Sequence, residues 1–151
     1  LYQRLDARIL RHFHSVIAVS QAVKDDMVAS RIPAKRIKII DNGIDLEDEQ
    51  FRGGSVEARK KLGLTADEFV IGCVARLTEE KAHRDLIHAF ANFVHRGQKT
   101  RLVLVGDGPE RESLQQLCFQ LGIEDRVLFA GNRGDARSLY QAFDLFAQIY
   151  S

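Results

Sequence analysis

Four short apolar runs, separated by helix-period stripes, leave this chain few folds to choose from. The runs are "FVIGCV", "RLVLVG", "RVLFAG" and "LFAQIY", beginning at Phe69, Arg101, Arg126 and Leu145. A strand wetted on one face alternates apolar and polar residues, whereas runs without that alternation belong to strands covered on both faces. Leu86, Ile87, Phe90, Phe93 and Val94 fall on one helical stripe after the first run, and Leu114, Leu117, Cys118 and Leu121 on another after the second. A short helix through Leu139 and Phe143 follows the third. Strand and helix in alternation predict an α/β fold, a Rossmann-like doubly wound parallel sheet with helices on both faces.

The preceding residues alternate too. Leu5, Ile9 and Phe13 share a helical face, "SVIAVS" reads as a short buried strand, and Ser20 is placed to cap a helix "QAVKDDMVAS" with Asp25 and Asp26 in its early turns. Pro33 interrupts, "KRIKII" reads as another strand, and "DNGID" turns, with Gly43 suited to a positive φ. The acidic stretch from Leu46, closed by Gly53-Gly54, reads as a connection, which divides the chain into residues 1–50 and 51–151. Ser55 then caps "VEARKKLGL", a helix ended by Gly63.

Composition removes several classes of function. A chain of 151 residues with 45% hydrophobic and 28% charged residues buries a real core and is not a disordered segment. A net charge of +1 gives no bulk attraction to nucleic acid or anionic lipid, so any anion site is local and no nucleic-acid partner is expected. Cys73 and Cys118 lack metal-ligand spacing and fit two reduced, packed thiols of a cytosolic protein. No apolar run reaches the roughly 18 residues that cross a bilayer. His12 with His14, and His83 with His88 or His95, lack the i,i+4 pairing with a nearby carboxylate of a zinc helix; they read as solvated, with no metal site. No nucleophile elbow, dinucleotide fingerprint or phosphate-binding P-loop is present.

Ligands of doubly wound sheets bind beyond the carboxyl ends of the strands. The loops Ala75–Lys81, Gly106–Pro109 and Gly131–Asp135 therefore gather on one rim. A helix beginning near Ala82 aims unpaired N–H groups and a positive dipole end at that rim. Arg76 and Lys81 add two full charges where the dipole alone favours acids, and a diphosphate between them would reconcile the arrangement. The alternative is neutralisation by Glu79, Glu80 and Asp85 in surface pairs worth at most about 1 kcal/mol. Gly106, Asp107 and Gly108 read as turn and helix-entry residues, with Pro109 at the first helical position.

"VARLTEEKAHRDLIHAF", "LVLVGDGPERESLQ" and "RVLFAGNRGDARSLYQAFDLFAQIYS", in that order, resemble the donor half of glycosyltransferase family 4, retaining enzymes of GT-B fold. "VIAVSQAVKDDMVASRIPAKRIKIIDNGID" resembles the end of that family's first domain and its crossover into the second. The resemblance implies that Arg76 and Lys81 grip the diphosphate of a UDP-, GDP- or ADP-sugar and stabilise the leaving group, with no cofactor required. It implies that the loop with Asn132, Arg133 and Asp135 reaches the base or ribose, although "GNRGD" is also what a solvated turn looks like. It further implies a sugar or lipid-linked acceptor held through the rest of the first domain, a role in glycan or polysaccharide biosynthesis, and a cytoplasmic place, peripheral at the inner face of the membrane.

The sequence departs from the family pattern at three points. Ala82 stands where the family commonly has glycine, Asp41 stands where it has proline, and the sequence stops at Ser151 before the paired glutamates that orient sugar and ribose. The expectation is a piece of a longer protein, starting without methionine and inactive alone. Its first two strands lack sheet partners and should promote self-association through residues 1–45. Two other readings stay open: a non-catalytic nucleotide-binding or assembly module, and a flavodoxin-like signalling domain, for which Cys73-Val74-Ala75 offers no acidic cluster.

Overall fold

The computed structural model describes residues 9–43, 54–94 and 99–150. The expectations for Leu5, for the connection at 46–53 and for His95 lie outside those residues. The chain divides into two compact units, Leu1–Leu46 and Glu47–Ser151.

In the first unit β1 (Val16–Ala18) pairs in parallel with β2 (Ile37–Ile39), Val16 opposite Ile37. Helix α1 (Gln21–Ala29) connects them and begins as expected, with Ser20 Oγ accepting from the Val23 N–H at 3.2 Å. Asp25 accepts instead from the Gln21 side-chain amide at 2.7 Å, and no acid occupies the first turn. Ala18, Ile32 and Ile37 form a small core with Leu10, Val23 and Met27 against it. Gly43 does not take a positive φ. Arg31 does, at 67°, where the chain leaves α1 and the Ile32 N–H reaches back to the Met27 carbonyl. Ile17 and Ile40, each 57% exposed, leave the other face of this sheet bare.

The second unit is the doubly wound sheet. β3 (Phe69–Val74), β4 (Thr100–Val105), β5 (Val127–Gly131) and β6 (Leu145–Phe146) are all parallel, in the order β5-β4-β3-β6. Successive strand residues point to opposite faces, so the uninterrupted apolar runs feed two cores. Ile71, Cys73, Leu102 and Leu104 pack with Leu86, Ile87 and Phe90 of α3 (His83–Val94) and Leu114, Leu117 and Cys118 of α4 (Arg111–Gln120). Val70, Val103 and Val105 pack with Ala58 of α2 (Gly54–Lys61), Leu139 of α5 (Ala136–Leu139), and Leu62 and Ala142 just beyond them. Gly72 makes room for Phe143, whose ring would lie 2.1 Å from any Cβ at that position.

Several boundaries shift from the sequence expectation. Helix α2 starts at Gly54, so Ser55 lies inside it, while Gly63 does close it with φ 65°. Pro109 precedes α4, whose cap position is Glu110, and β6 keeps only the first two residues of "LFAQIY". Arg59 ties α2 to the sheet: its guanidinium donates to the Thr65, Ala66 and Glu68 carbonyls and, at 2.7 Å, to Asp144, which also accepts from the Val70 N–H. Both cysteines are buried and unbridged, and burial pushes their thiols up to about 11. No helix among the described residues is long and apolar enough to cross a membrane.

The chain steps outward from β3 to β5, then returns to set β6 on the other side of β3. The direction of winding reverses between β3 and β6. In open sheets that reversal point, at the carboxyl ends, is where ligands bind.

Candidate functional site

The loop after β3 is held by its neighbour. Ala75 donates to Val105 at 3.0 Å, Leu77 donates to the Asp107 carbonyl at 3.0 Å, and Glu110 donates back to Leu77 at 3.0 Å. This closeness requires two glycines. A Cβ on Gly106 (φ 137°) would lie 2.0 Å from the Ala75 carbonyl oxygen, and one on Gly108 2.4 Å from that of Leu77. With Leu77 fully buried between them, Arg76 is turned outward.

Beyond Thr78 a single 3-10 turn, Glu79–Lys81, leads to Ala82 in the left-handed region (φ 45°, ψ 36°). The Asp85 and Leu86 N–H groups return to the Ala82 carbonyl, which leaves those of His83 and Arg84 at the head of α3 with no backbone acceptor among the described residues. A 12-residue helix thus presents two free donors and its positive end beside the Arg76 loop.

The three strand-end loops meet in one open cleft of about 410 Å³, lined by Ala75 and Arg76, Gly106 and Asp107, Asn132 and Arg133, with Val74, Val105 and Ala136 at its base. Arg76 makes no side-chain hydrogen bond or ion pair among the described residues, so neutralisation by Glu79, Glu80 or Asp85 is not what holds it. Lys81 belongs to the same loop but not to the cleft wall. Its Nζ lies 4.1 Å from the centre of the Tyr150 ring, beyond β6, in a cation–π contact. An ammonium group with no anion at hand finds the nearest negative surface, here an aromatic face at the reversal point.

Asn132 is exposed at the cleft mouth. Arg133 is fixed by a two-pronged pair with Asp135, 2.8 Å from Nε and 3.1 Å from the terminal nitrogen. Asp135 is not a wall residue. It orients Arg133 and in turn faces Lys61 of α2 at 3.6 Å, whose Nζ donates to Ser138 at 3.2 Å. Arg133 above all holds the Asp135 carboxyl down to about 2. Asp107 stays a loop residue as well as a lining one, accepting from the Gly108 N–H at 2.8 Å and facing Arg111 at 3.4 Å.

His83 corrects the sequence reading. It is 3% exposed rather than solvated, with Nε2 3.8 Å from Cys73 Sγ. Its spacing carried the signal: His83, Leu86, Ile87 and Phe90 follow the i, i+3, i+4, i+7 pattern of a buried face. Tyr150 and Lys61 were also missed. The strand-end rule could have found Tyr150, since it closes the fourth run beyond the end of β6. Among the described residues no group of three His, Cys, Asp or Glu is placed to hold a metal.

A Rossmann-like sheet with a cationic, donor-rich cleft at its carboxyl rim is the build of a GT-B glycosyltransferase domain. Residues 55–149 match the family model described as glycosyl transferases group 1, and residues 1–48 that of glycosyltransferase family 4; the chain belongs to the group 1 glycosyltransferases. It is 32% identical over 136 residues to the uncharacterized glycosyltransferase MJ1607 of Methanocaldococcus jannaschii, covering 86% of this chain and 35% of that one. It is 33% identical over 130 residues to the N-acetyl-alpha-D-glucosaminyl L-malate synthase of Bacillus anthracis, covering 86% and 34%. The crystal structure of Anabaena HepE in complex with UDP and glucose superposes with a TM-score of 0.76 at 31% identity, over 98% of this chain and 41% of that one. A second HepE structure holds UDP-glucose. The chain thus spans about a third of the length of the curated relatives it matches.

Proposed function

We propose that this chain contributes the donor side of a retaining glycosyltransferase that binds a nucleoside-diphosphate sugar and passes the sugar to a hydroxyl acceptor, in glycan or polysaccharide biosynthesis. The observation that carries the reading is Arg76, a guanidinium with no described partner, lining the cleft on a loop that leads into the open N-terminus of α3. Anions belong in such places. UDP is the nucleotide best supported, because HepE, at 31% identity, is described with UDP and with UDP-glucose.

In this reading Arg76 holds the diphosphate with its planar fork. Lys81 leaves the Tyr150 ring to join it, because a charge-assisted hydrogen bond of about 1.5–3 kcal/mol exceeds a solvent-exposed cation–π contact of about 0.5–1 kcal/mol. As the sugar departs, charge grows on the diphosphate, and the two cations and the α3 N–H groups stabilise it without a metal. Asn132 and Arg133 meet the base or ribose, with Asp135 holding Arg133 in place. Residues 51–151 serve as the nucleotide-sugar domain, and residues 1–50 as the tail of the acceptor-side domain and the crossover. These residues alone fix no acceptor against the anomeric carbon, and the piece is inactive by itself. The whole protein works in the cytoplasm, peripheral at the inner face of the membrane when its acceptor is lipid-linked. The bare face with Ile17 and Ile40 promotes self-association through residues 1–45, read out as a mass above the monomer in light scattering.

Calorimetry with UDP-glucose, GDP- and ADP-sugars and pyrophosphate tests the donor site. Weak binding that follows the diphosphate, reduced about tenfold or more in Arg76→Ala and in Lys81→Ala, is the expected result. Equal affinity in both variants would return the two residues to a solvated surface.

A further inference from the structure

His83 is the first residue of α3, two positions after Lys81, and the donor-site reading leaves it without a role. Its ring is buried, Nε2 faces the Cys73 thiol at 3.8 Å, and among the described residues Nδ1 has no partner in good hydrogen-bond geometry, although the Thr78 carbonyl lies near the ring. A buried polar atom left unpaired is costly, and natural folds retain few of them. The groups around the ring oppose one another. Burial, first of all, and the Lys81 ammonium disfavour a proton on it, while the Glu110 carboxylate at the head of α4 and the Thr78 carbonyl favour one. Cys73 of β3 contributes a neutral thiol, and Arg84, the next residue of α3, leans to Glu110 at 3.8 Å. In the empty chain burial prevails and holds the imidazole's affinity for a proton below its ordinary value. A diphosphate lying across the α3 N-terminus would cancel the repulsion from Lys81 and bring its own negative charge close to the ring, and both changes favour the proton against the cost of burial.

We propose that His83 is a positioning residue that couples diphosphate binding to proton uptake. On binding, one proton from solvent settles on the imidazole, turns the orphaned Nδ1 into a donor, and adds a third cation behind the Arg76–Lys81 loop. No proton passes to the ligand. The inference rests on the donor-site reading above and adds to it a pH dependence carried by His83.

UDP-glucose is the probe. Its diphosphate is esterified at both ends and takes up no proton near neutral pH, whereas a terminal phosphate titrates near about 6 and would confuse the result. Calorimetry at several pH values between about 5.5 and 7.5, in buffers of different ionisation enthalpy, should show affinity rising as pH falls. The gain is about tenfold for each unit by which binding raises the ring's pKa, with uptake approaching one proton. His83→Gln should bind with a flat pH profile and no uptake. Should that variant not fold, proton NMR of the imidazoles in the unaltered chain gives the same reading: one buried histidine must titrate at higher pH with UDP-glucose than without. Binding with a flat profile in the unaltered chain, or histidine titrations unmoved by ligand, overturns the coupling and leaves the donor site standing. No binding at any pH overturns both.

Discussion

Ala82 has a backbone its side chain resists. At φ 45° it sits in the left-handed region, which costs a residue with a Cβ about 1–2 kcal/mol, because the chain must turn from Glu79–Lys81 straight into α3. Glycine would relieve that strain, but it loosens the unfolded chain by about 0.4–1 kcal/mol and removes a buried methyl group. Ala82→Gly should therefore raise stability in urea by a net of about 0.5 kcal/mol while keeping UDP-glucose affinity. A clear loss of stability would mean that methyl packing, not backbone strain, dominates. His83 predicts a pH effect on the empty chain. Burial lowers its folded pKa below the ordinary 6.5, so the unfolded chain binds the extra proton. Stability is complete above that value and is lost as pH falls through it toward the folded pKa. Tm should drop between about pH 7.5 and 5.5, and drop less in His83→Gln. In the proposed site the Tyr150 ring competes with the diphosphate for Lys81. Removing a contact of about 0.5–1 kcal/mol in Tyr150→Ala should tighten UDP-glucose binding about two- to fivefold. Weaker binding would make the ring a support for Lys81 instead of a competitor.

The loops succeed or fail as a pair. Leu77 and Gly108 are joined through Asp107 and Glu110, so the Arg76 loop has no fixed shape without the Gly106–Gly108 turn. Gly108→Ala drives a methyl group into the Leu77 carbonyl. It should cost about 1–3 kcal/mol in denaturant unfolding and lose donor affinity as well, although it touches no ligand. A variant that binds normally would show that Arg76 does not depend on this anchoring. At this scale sequence reading worked where information is local. Uninterrupted apolar runs gave β3, β4 and β5, Ser20 gave its cap, and the strand-end rule brought Arg76, Asn132 and Arg133 to one cleft. It fell short where a partner comes from far along the chain. Lys81 meets Tyr150 and Lys61 meets Asp135 only after the sheet has formed, and no spacing encodes either contact. Ser55 was misjudged by a single residue, since serine favours a cap but Gly54 already starts the helix.

The molecule as a whole shows what a sheet needs. In the second unit the central strands β3 and β4 are covered on both faces, as uninterrupted apolar runs require, while β6 at the edge stays exposed at Leu145 and Phe146. In the first, two parallel strands have one face covered and the other bare, which is not a stable end state for a sheet in water. Membership of the group 1 glycosyltransferases agrees with the doubly wound reading, and the chain spans about a third of its curated relatives. The central claim is that a diphosphate lies between Arg76 and Lys81. Its most direct test is a crystal structure of this chain with UDP-glucose. The account predicts phosphate oxygens within hydrogen-bonding distance of the Arg76 guanidinium, the Lys81 ammonium and the N–H groups at the head of α3, with Lys81 withdrawn from Tyr150. A nucleotide bound elsewhere, with Lys81 still on the ring and Arg76 facing water, would contradict it.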